Sequence, residues 1–469
     1  MIIAVAGSGG KTTRIHELAR KYRLEGKKVL VTTTTHMSLE NGCDLSGEVS
    51  SICRKLETDG YCMAGLLAEE GKMGPLPKEV YEKVCNFADE VLVEADGSRG
   101  KPVKYPAEYE PVIPDNAEEI QVVTGFSAIG KSVKEAGHRV EPILQALDVS
   151  EDHLLEGKDL QTLVEKGYTK PLRSRYPKKK VRVCPGQVNT LYERALAQFF
   201  AEEKDGSVLD PAWFAGKPKL VVLGGGHVGK EVAYLGSFLD FEVTVVDDRE
   251  EFVRKDLFPE ADHLYCHDFE TLEEILPKEK NTFYVVVTRG HAADRSCVCQ
   301  ILNREFSYLG MIGSRLKVKK TLELLKEQGF SEEQLEHIHA PIGLKIGART
   351  PEEIAVSIAA ELIQEKNKDS VSSLPSELAE AEEEGVLCII TQKSGSAPRG
   401  VGTMMLVTKE KVIGTIGGGV LEQRVIEQAG KVCRITEEDY DLSNQESAAL
   451  GMICGGSNRI LYVPLYGKY

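Results

Sequence analysis

The chain opens with an apolar strand pattern that runs directly into a glycine loop and a helix, and this arrangement constrains the fold most. Residues 2–6 predict a strand, which is followed by Gly7-Ser8-Gly9-Gly10-Lys11-Thr12-Thr13 and by a helical pattern that extends to Tyr22. Glycines let successive backbone N–H groups point at one anion, and the helix N-terminus adds partial positive charge. The order strand, loop, helix predicts a parallel α/β sheet with a phosphate site at its carboxyl edge.

The residue types of this loop indicate nucleotide binding. Lys11 can reach terminal phosphates, and the hydroxyl of Thr12 is suited to Mg²⁺. Because Val5 stands where the full Walker motif has its first glycine, the loop resembles the G-x-x-G-K-T variant of Mur-ligase-like ATPases. We therefore expect ATP or GTP to be bound by the loop residues Gly7, Gly9, Gly10, Lys11, Thr12 and Thr13.

Two further strand ends support this prediction. The predicted strand 91–94 ends in Glu94 and is followed by Asp96, and with Thr12 we expect these carboxylates to hold Mg²⁺. Hydroxyls of the run 32–35 end another strand at the same edge. No N-K-x-D motif follows the late strand 181–184, which favours ATP and leaves GTP open.

Length and connectors predict three domains, since 469 residues correspond to roughly three domains of ordinary size. Polar stretches near residues 203–207 and 366–375 separate a P-loop-type parallel sheet domain (1–205), a Rossmann-like domain (217–365) and a small α+β domain (374–469). We expect the last to open with an acidic helix. That helix would carry Glu380, Glu382, Glu383 and Glu384.

The second segment contains a dinucleotide-type fingerprint. The predicted strand 220–223 leads into Gly224-Gly225-Gly226-His227-Val228-Gly229, and the next strand, 242–246, ends at Asp247, placed to take a ribose hydroxyl. We expect Gly224, Gly226, His227, Gly229 and Asp247 to line a cofactor site, and NAD(P) is one candidate, with Arg249 suited to a 2′-phosphate.

Later residues of the second and third segments predict an anionic ligand. Arg289 and His291 follow the predicted strand 283–288, and Arg315 follows a second glycine-containing edge, so we expect the three to converge on an anion. In the third segment, Gly418 belongs to a glycine turn before a helix, and Arg399 can grip a phosphate. Cys454 stands beside two glycines, a setting that favours a reactive thiolate.

Composition excludes several classes of protein. A formal charge of −15 argues against a general nucleic-acid or anionic-membrane binder, because polyanions are repelled. No apolar run approaches the about 18 residues needed to span a bilayer, and no basic segment of a signal peptide is visible at the start. Eleven scattered cysteines suit reduced thiols, so we predict a cytoplasmic protein.

Three stretches of the first segment, 6–13, 32–37 and 93–102, together resemble the YqeC family. That family is associated with selenium-dependent molybdenum hydroxylases as an accessory protein. The resemblance covers essentially the whole first segment. It implies a nucleotide-binding domain in which ATPase or GTPase activity is left open.

The second segment resembles the XdhC/CoxI family through residues 288–294, 308–315 and 341–348. The stretches 396–399, 414–422 and 454–456 resemble that family's other domain, which usually precedes the Rossmann domain rather than following it. Proteins of this family bind molybdenum cofactor and assist its sulfuration and insertion. The resemblance implies a maturation protein for a xanthine dehydrogenase-type hydroxylase, with that enzyme and cofactor-supplying proteins as partners and Cys454 as the residue that transfers sulfur or selenium.

Two other interpretations stay open at this point. The glycine fingerprint with Asp247 is equally typical of an NAD(P)-dependent oxidoreductase, for which His227 or His291 would have to supply the catalytic acid. The loop 7–12 by itself is compatible with a Mur-like ligase, although no second or third ligase domain is recognisable.

Overall fold

The computed structural model describes residues 1–68, 71–368, 374–395, 399–441 and 456–466. Its strands are β1 Ile2–Gly7, β2 Val29–Thr33, β3 Met37–Ser38, β4 Tyr61–Met63, β5 Leu66–Leu67, β6 Lys72–Gly74, β7 Glu90–Glu94, β8 Val103–Lys104, β9 Glu119–Gly125, β10 Gly137–His138, β11 Lys180–Gly186, β12 Lys219–Leu223, β13 Glu242–Asp247, β14 His263–Cys266, β15 Thr282–Val286, β16 Tyr308–Met311, β17 Ile338–His339, β18 Gly385–Gly395, β19 Met404–Val407, β20 Val412–Gly414, β21 Thr436–Asp441 and β22 Gly456–Leu465.

Helices alternate with these strands in the first two domains and are few in the third. They are α1 Lys11–Leu24, α2 Val49–Asp59, α3 Lys78–Phe87, α4 Val133–Ala136, α5 Val140–Leu147, α6 Gly157–Val164, α7 Lys170–Arg175, α8 Leu191–Ala201, α9 His227–Phe238, α10 His291–Leu302, α11 Arg315–Glu327, α12 Glu332–Glu336, α13 Pro351–Lys366, α14 Ser376–Ala379 and α15 Gly419–Ala429.

The first domain is built on a parallel sheet of six strands in the order β11-β9-β1-β7-β2-β4. β1 pairs in parallel with β7 on one side and with β9 on the other, so the glycine loop leaves the middle of the sheet. Every residue of β2, β7 and β9 is buried. Burial on both faces is typical of a parallel sheet with helices on each side.

The second domain is a parallel sheet of six strands in the order β14-β13-β12-β15-β16-β17. Numbered within this domain, that order is 3-2-1-4-5-6, the order of dinucleotide-binding folds. Its two hydrophobic clusters, one on each face of the sheet, draw only on residues between Leu220 and Leu362. Helix α13 begins as predicted at Pro351, and Thr350 and Glu353 form a capping box before its first turn.

The third domain has an antiparallel sheet in the order β20-β19-β18-β22-β21, and its two faces pack differently. One face packs under α15, where Val425 is fully buried. The other face joins the core of the first domain, so that Leu406 and Val463 share a cluster with Phe200 and Trp213. The third domain is therefore docked on the first.

The predicted fold class is confirmed: a P-loop-type parallel sheet, a Rossmann-like sheet and a small sheet-rich domain follow one another. The domain boundaries stay predictions. The acidic helix predicted at the start of the third segment is wrong, because α14 ends at Ala379 and the run 381–384 is irregular. Within the described residues, no helix combines the length and the apolar character needed to cross a membrane.

Candidate functional site

The glycine loop after β1 is fixed by close backbone packing. Gly9 has a φ of +70°, and a Cβ there would lie 2.3 Å from the Cα of Gly125, so only glycine fits. Ser8 donates its backbone N–H to the carbonyl of Val123 and its hydroxyl to that of Pro102. Helix α1 then begins at Lys11, with its first backbone N–H groups at the carboxyl edge of the sheet.

Asp96 braces this loop from behind. Its carboxylate is fully buried and accepts the Gly7 N–H at 3.0 and 3.1 Å and the Tyr168 hydroxyl at 3.0 Å. The buried Lys104 ammonium lies 3.4 Å from it and also pairs with Glu110 at 2.8 Å. Since these partners occupy both oxygens of Asp96, its role as a magnesium ligand stays a prediction, and its position is that of a loop support.

Lys11 is held beneath the loop by the groups that a phosphate would replace. Its side chain is 5% exposed, and Nζ donates to the Gly7 carbonyl at 2.8 Å and to Ser98 Oγ at 3.3 Å. Two carboxylates flank the ammonium, Asp96 at 3.4 Å and Glu94 at 3.9 Å. The charge of Lys11 is thus balanced inside the protein and lies at the mouth of the loop.

Glu94 ends β7 and is the carboxylate exposed to the adjoining cavity. Burial raises the pKa of Glu94 to about 7, although the Lys11 ammonium acts in the opposite direction. A carboxyl group that titrates near neutrality can hold a proton or accept one at the edge of a phosphate site.

We name the space in front of the loop the phosphate cavity; its volume is about 680 Å³. Thr12 and Thr13 line it and are exposed, and Thr35 lines it with a buried hydroxyl oxygen that has no hydrogen-bond partner. Its cationic side chains outnumber its carboxylates by four to two; the cations are Lys11, Lys72, Arg99 and Arg139, and the carboxylates are Glu94 and Glu110. This excess suits a polyphosphate.

Several residues of this cavity were missed by sequence reasoning. Arg139 follows β10, pairs with Glu110 at 2.8 Å and donates to the Tyr109 hydroxyl at 3.3 Å. Burial lowers the pKa of the neighbouring His138, and the charges of Lys104, Arg139 and Arg99 lower it further. No motif spacing marks these residues, because they come from a segment between predicted strands.

The donors present fit a magnesium ion only in part. Among the residues that the structure describes, no group of three or more His, Cys, Asp or Glu side chains is arranged to hold a metal. Thr12 and Glu94 nevertheless both offer oxygen atoms to the phosphate cavity. Mg²⁺ needs only one or two protein oxygens when phosphates and water supply the rest, so the assignment of Thr12 and Glu94 is chemically consistent.

The glycine loop of the second domain has the dinucleotide geometry. A Cβ at Gly229 would lie 1.8 Å from the carbonyl oxygen of Gly224, so the first turn of α9 packs tightly on the loop. A Cβ at Gly226 would meet nothing within 4 Å, which leaves this side of the loop open. His227 begins α9 and is exposed.

Asp247 is placed at the end of β13 as predicted, yet both its oxygens have partners. They accept the Gly225 N–H at 2.8 Å and two guanidinium N–H groups of Arg249 at 2.8 and 3.0 Å. Burial alone would raise the pKa of Asp247, but these hydrogen bonds lower it. The Arg249 guanidinium also lies 3.6 Å from the centre of the Phe252 ring. A ribose hydroxyl would have to compete with Arg249.

Arg289, His291 and Arg315 all lie at the carboxyl edge of this sheet. Arg289 and His291 follow β15, and Arg315 begins α11 after the adjacent β16. All three are exposed, and Arg289 pairs with Asp248 at 3.3 Å. Asp294, behind them in α10, accepts the Thr288 hydroxyl at 2.6 Å, and burial raises its pKa to about 6.

In the third domain the predicted anion turn at Gly418 is filled by the chain itself. The Glu422 carboxylate accepts the backbone N–H groups of Ile416 at 3.2 Å and Gly418 at 3.0 Å, and also the Thr415 hydroxyl. Arg399 is exposed, in a different sheet from Arg289. Cys454 lies outside the described residues, so its place relative to these groups stays a prediction.

Comparison with known protein families divides the chain into three matched stretches. Residues 3–141 match the family described as YqeC protein, and residues 220–362 match the XdhC Rossmann domain. Residues 378–439 match the XdhC and CoxI family. The resemblances inferred from the sequence motifs are confirmed.

Three curated relatives are similar to parts of the chain. Uncharacterized protein YqeC of Escherichia coli (strain K12) is 32% identical over 175 residues, which cover 35% of this chain and 67% of that protein. Uncharacterized protein YqeB of the same strain is 36% identical over 152 residues, covering 32% and 28%. A probable xanthine dehydrogenase subunit of Bacillus subtilis (strain 168) is 32% identical over 155 residues, covering 33% and 45%. The chain spans less than half the length of the last two.

Proposed function

This chain belongs to the YqeC family, joined to XdhC Rossmann and XdhC/CoxI domains, and we propose that it is an accessory protein in the maturation of a xanthine dehydrogenase-type molybdenum hydroxylase. The B. subtilis relative bears the name of a probable xanthine dehydrogenase subunit, which supports that class of partner. We propose a selenium-dependent enzyme as the partner, together with the proteins that supply the cofactor. The proposed setting is the cytoplasm.

The first domain, in this proposal, binds ATP or GTP with Mg²⁺. The observation that carries it is the phosphate cavity, where a glycine loop, the N-terminus of α1 and an excess of cations meet. Lys11 would leave the Gly7 carbonyl to pair with the terminal phosphates, and the N–H groups of Thr12 and Thr13 would bind the inner ones. Glu94 would orient a water molecule or the metal ion, so slow ATP or GTP hydrolysis is within its chemistry.

The second domain, and the third with it, would hold the molybdenum cofactor. Molybdopterin carries a phosphate, and Arg289, His291 and Arg315 present cationic or donor groups at one sheet edge. Arg399 and Gly418 of the third domain are proposed as further contacts. Their part depends on displacement of the Glu422 carboxylate or on a ligand bound beside it.

Cys454 is proposed as the thiolate that carries sulfur or selenium to the cofactor. The chemistry supplied by the bound cofactor is acceptance of a terminal chalcogen, and the contribution of this chain is a reactive thiol among glycines. Cys454→Ser should keep cofactor binding and lose activation of the partner hydroxylase. Full activation by this variant, with slow iodoacetamide labelling of the wild-type thiol, would remove the chemical role.

Nucleotide binding is tested by Lys11→Ala, with Lys21→Ala on the exposed last turn of α1 as the matched control. The first variant loses a charge-assisted contact to phosphate, which is worth several tens-fold in affinity, about 2 kcal/mol. The backbone loop survives because its bonds are made by Gly7, Ser8 and Asp96. Equal affinity of the two variants for Mg-ATP and Mg-GTP in calorimetric titrations would remove the assignment.

NAD(P) binding to the second domain is retained as the alternative, an oxidoreductase, because the strand order and the glycine loop have the dinucleotide geometry. Against it stands the Asp247–Arg249 pair, which occupies the ribose position. Arg249→Ala should free Asp247, so an NADH site would bind more tightly in this variant. No saturable NADH fluorescence signal from either protein would eliminate the alternative.

A further inference from the structure

A second cavity of about 480 Å³ lies between the first and third domains. It shares Gly10, Thr13 and Gln187 with the phosphate cavity, so both open onto the first turn of α1. Residues that end β9 and β11 form its floor, whereas Glu94 of β7 belongs to the phosphate cavity. Since β9 and β7 flank β1 on opposite sides, the two spaces extend towards opposite edges of the sheet. We call the second space the interdomain cavity.

The charges of the two cavities differ in sign. The phosphate cavity has more cations than carboxylates, whereas the interdomain cavity is lined by two guanidinium groups and three carboxylates; these are Arg14 and Arg194, and Glu17, Glu382 and Glu384. A polyphosphate is repelled by such a wall, and an uncharged ribose and base are not. The charge distribution thus orients a nucleotide that lies across the first turn of α1.

The chemistry of the walls also suits a nucleoside. Val123, Val188 and Leu465 offer apolar surface to a base, and the amides of Gln187 and Asn189 and the carboxylates can hydrogen-bond to its polar edge and to ribose hydroxyls. Leu465, Glu382 and Glu384 come from the third domain. The cavity is therefore complete only when the third domain is docked.

The docking that completes this wall is specific. Arg194, in α8 of the first domain, donates to the carbonyl of Ala381 at 2.6 Å and to that of Glu383 at 2.7 Å. Lys204 donates to the Ile435 carbonyl, and the Glu202 carboxylate accepts the Ile435 N–H at 3.0 Å. Two independent sets of bonds thus fix the third domain beside the glycine loop.

We propose that the interdomain cavity takes the ribose and base of the nucleoside triphosphate whose phosphates occupy the phosphate cavity. This inference rests on the proposed nucleotide binding by the first domain. Its consequence is regulatory: the bound nucleotide contacts the third domain directly. Binding of the nucleotide therefore tightens the docking of the domain whose sequence contains Cys454.

The test compares Mg-ATP and Mg-GTP with magnesium tripolyphosphate, which has the phosphates but no nucleoside. Glu382→Trp places a large side chain on the third-domain wall; Glu380→Trp, exposed two residues earlier and outside the cavity lining, is the matched control. We expect Glu382→Trp to weaken the better nucleotide by at least about tenfold in calorimetric titrations. Tripolyphosphate affinity should stay unchanged, and Glu380→Trp should alter neither.

The outcomes separate the two proposals. Wild-type protein that binds neither nucleotide nor tripolyphosphate contradicts the proposed function itself. Wild-type protein that binds both, with Glu382→Trp either harmless or equally damaging to both, overturns the interdomain site alone.

Hydrogen exchange on the wild-type chain gives a second measurement that does not depend on a variant. Backbone amides of residues 381–386 should gain protection with the nucleotide and not with tripolyphosphate. Protection by both ligands, or by neither, contradicts the proposal.

Discussion

Replacement of Glu94 by glutamine tests the electrostatics of the phosphate cavity through the stability of the protein. Burial raises the pKa of Glu94 to about 7 in the folded chain, from 4.5 when the group is unperturbed. Between these two values the folded state keeps a proton that the unfolded state releases. Stability contributed by Glu94 is therefore highest at low pH, falls as the pH rises from 4.5 to 7, and stays low above that.

The size of the effect follows from the shift. Each pKa unit corresponds to 1.36 kcal/mol, so ionised Glu94 costs about 3 kcal/mol at pH 8 and about 1 kcal/mol at pH 5.5. Glutamine carries no charge at either pH. The stability of Glu94→Gln relative to wild type should thus rise by about 2 kcal/mol between pH 5.5 and pH 8.

Urea unfolding followed by tryptophan fluorescence measures this difference. Trp213 is the single tryptophan of the chain and is buried in the core that the first and third domains share. Glu57→Gln, on the exposed side of α2, is the control and should show no such trend. A stability difference that is independent of pH, or that grows towards low pH, would refute the reasoning.

Three further substitutions test the supports of the two glycine loops and of the second core. Asp96→Asn leaves the fully buried Lys104 with one carboxylate fewer and should lower stability by about 3–5 kcal/mol in urea unfolding; an effect under about 1 kcal/mol contradicts the bracing role. Gly229→Ala should destabilise the second domain by about 2 kcal/mol or more, whereas Gly226→Ala, whose Cβ meets nothing within 4 Å, should melt like wild type. Tyr308→Phe removes the hydroxyl that donates to buried Glu361 at 2.6 Å, and a loss of about 1–3 kcal/mol is expected from hydrogen exchange of β16.

The sheet strands could be predicted because their signals are local. Strands of the parallel sheets are continuous apolar runs bounded by glycine or acidic residues, and those predicted at 2–6, 91–94 and 242–246 agree with β1, β7 and β13 to within one residue at each end. The glycine loops were likewise predictable, since a close backbone approach such as that of Gly9 to Gly125 excludes every other residue type.

What sequence reasoning missed depends on contacts between distant segments. The run 381–384 was expected to be helical because glutamate favours helices, yet its carbonyls bond to Arg194 of α8 and the run stays irregular. Tertiary bonds here override local propensity. In the same way, the Arg249 partner of Asp247 and the Glu422 partner of Gly418 follow from side-chain geometry that spacing does not encode.

Mass spectrometry of the small molecules released from the purified full-length protein tests the central claim most directly. The proposed role in hydroxylase maturation predicts molybdopterin, either retained or taken up when it is offered, together with an adenine or guanine nucleotide that Lys11→Ala no longer holds. Protein that neither retains molybdopterin nor binds it when offered would contradict the account.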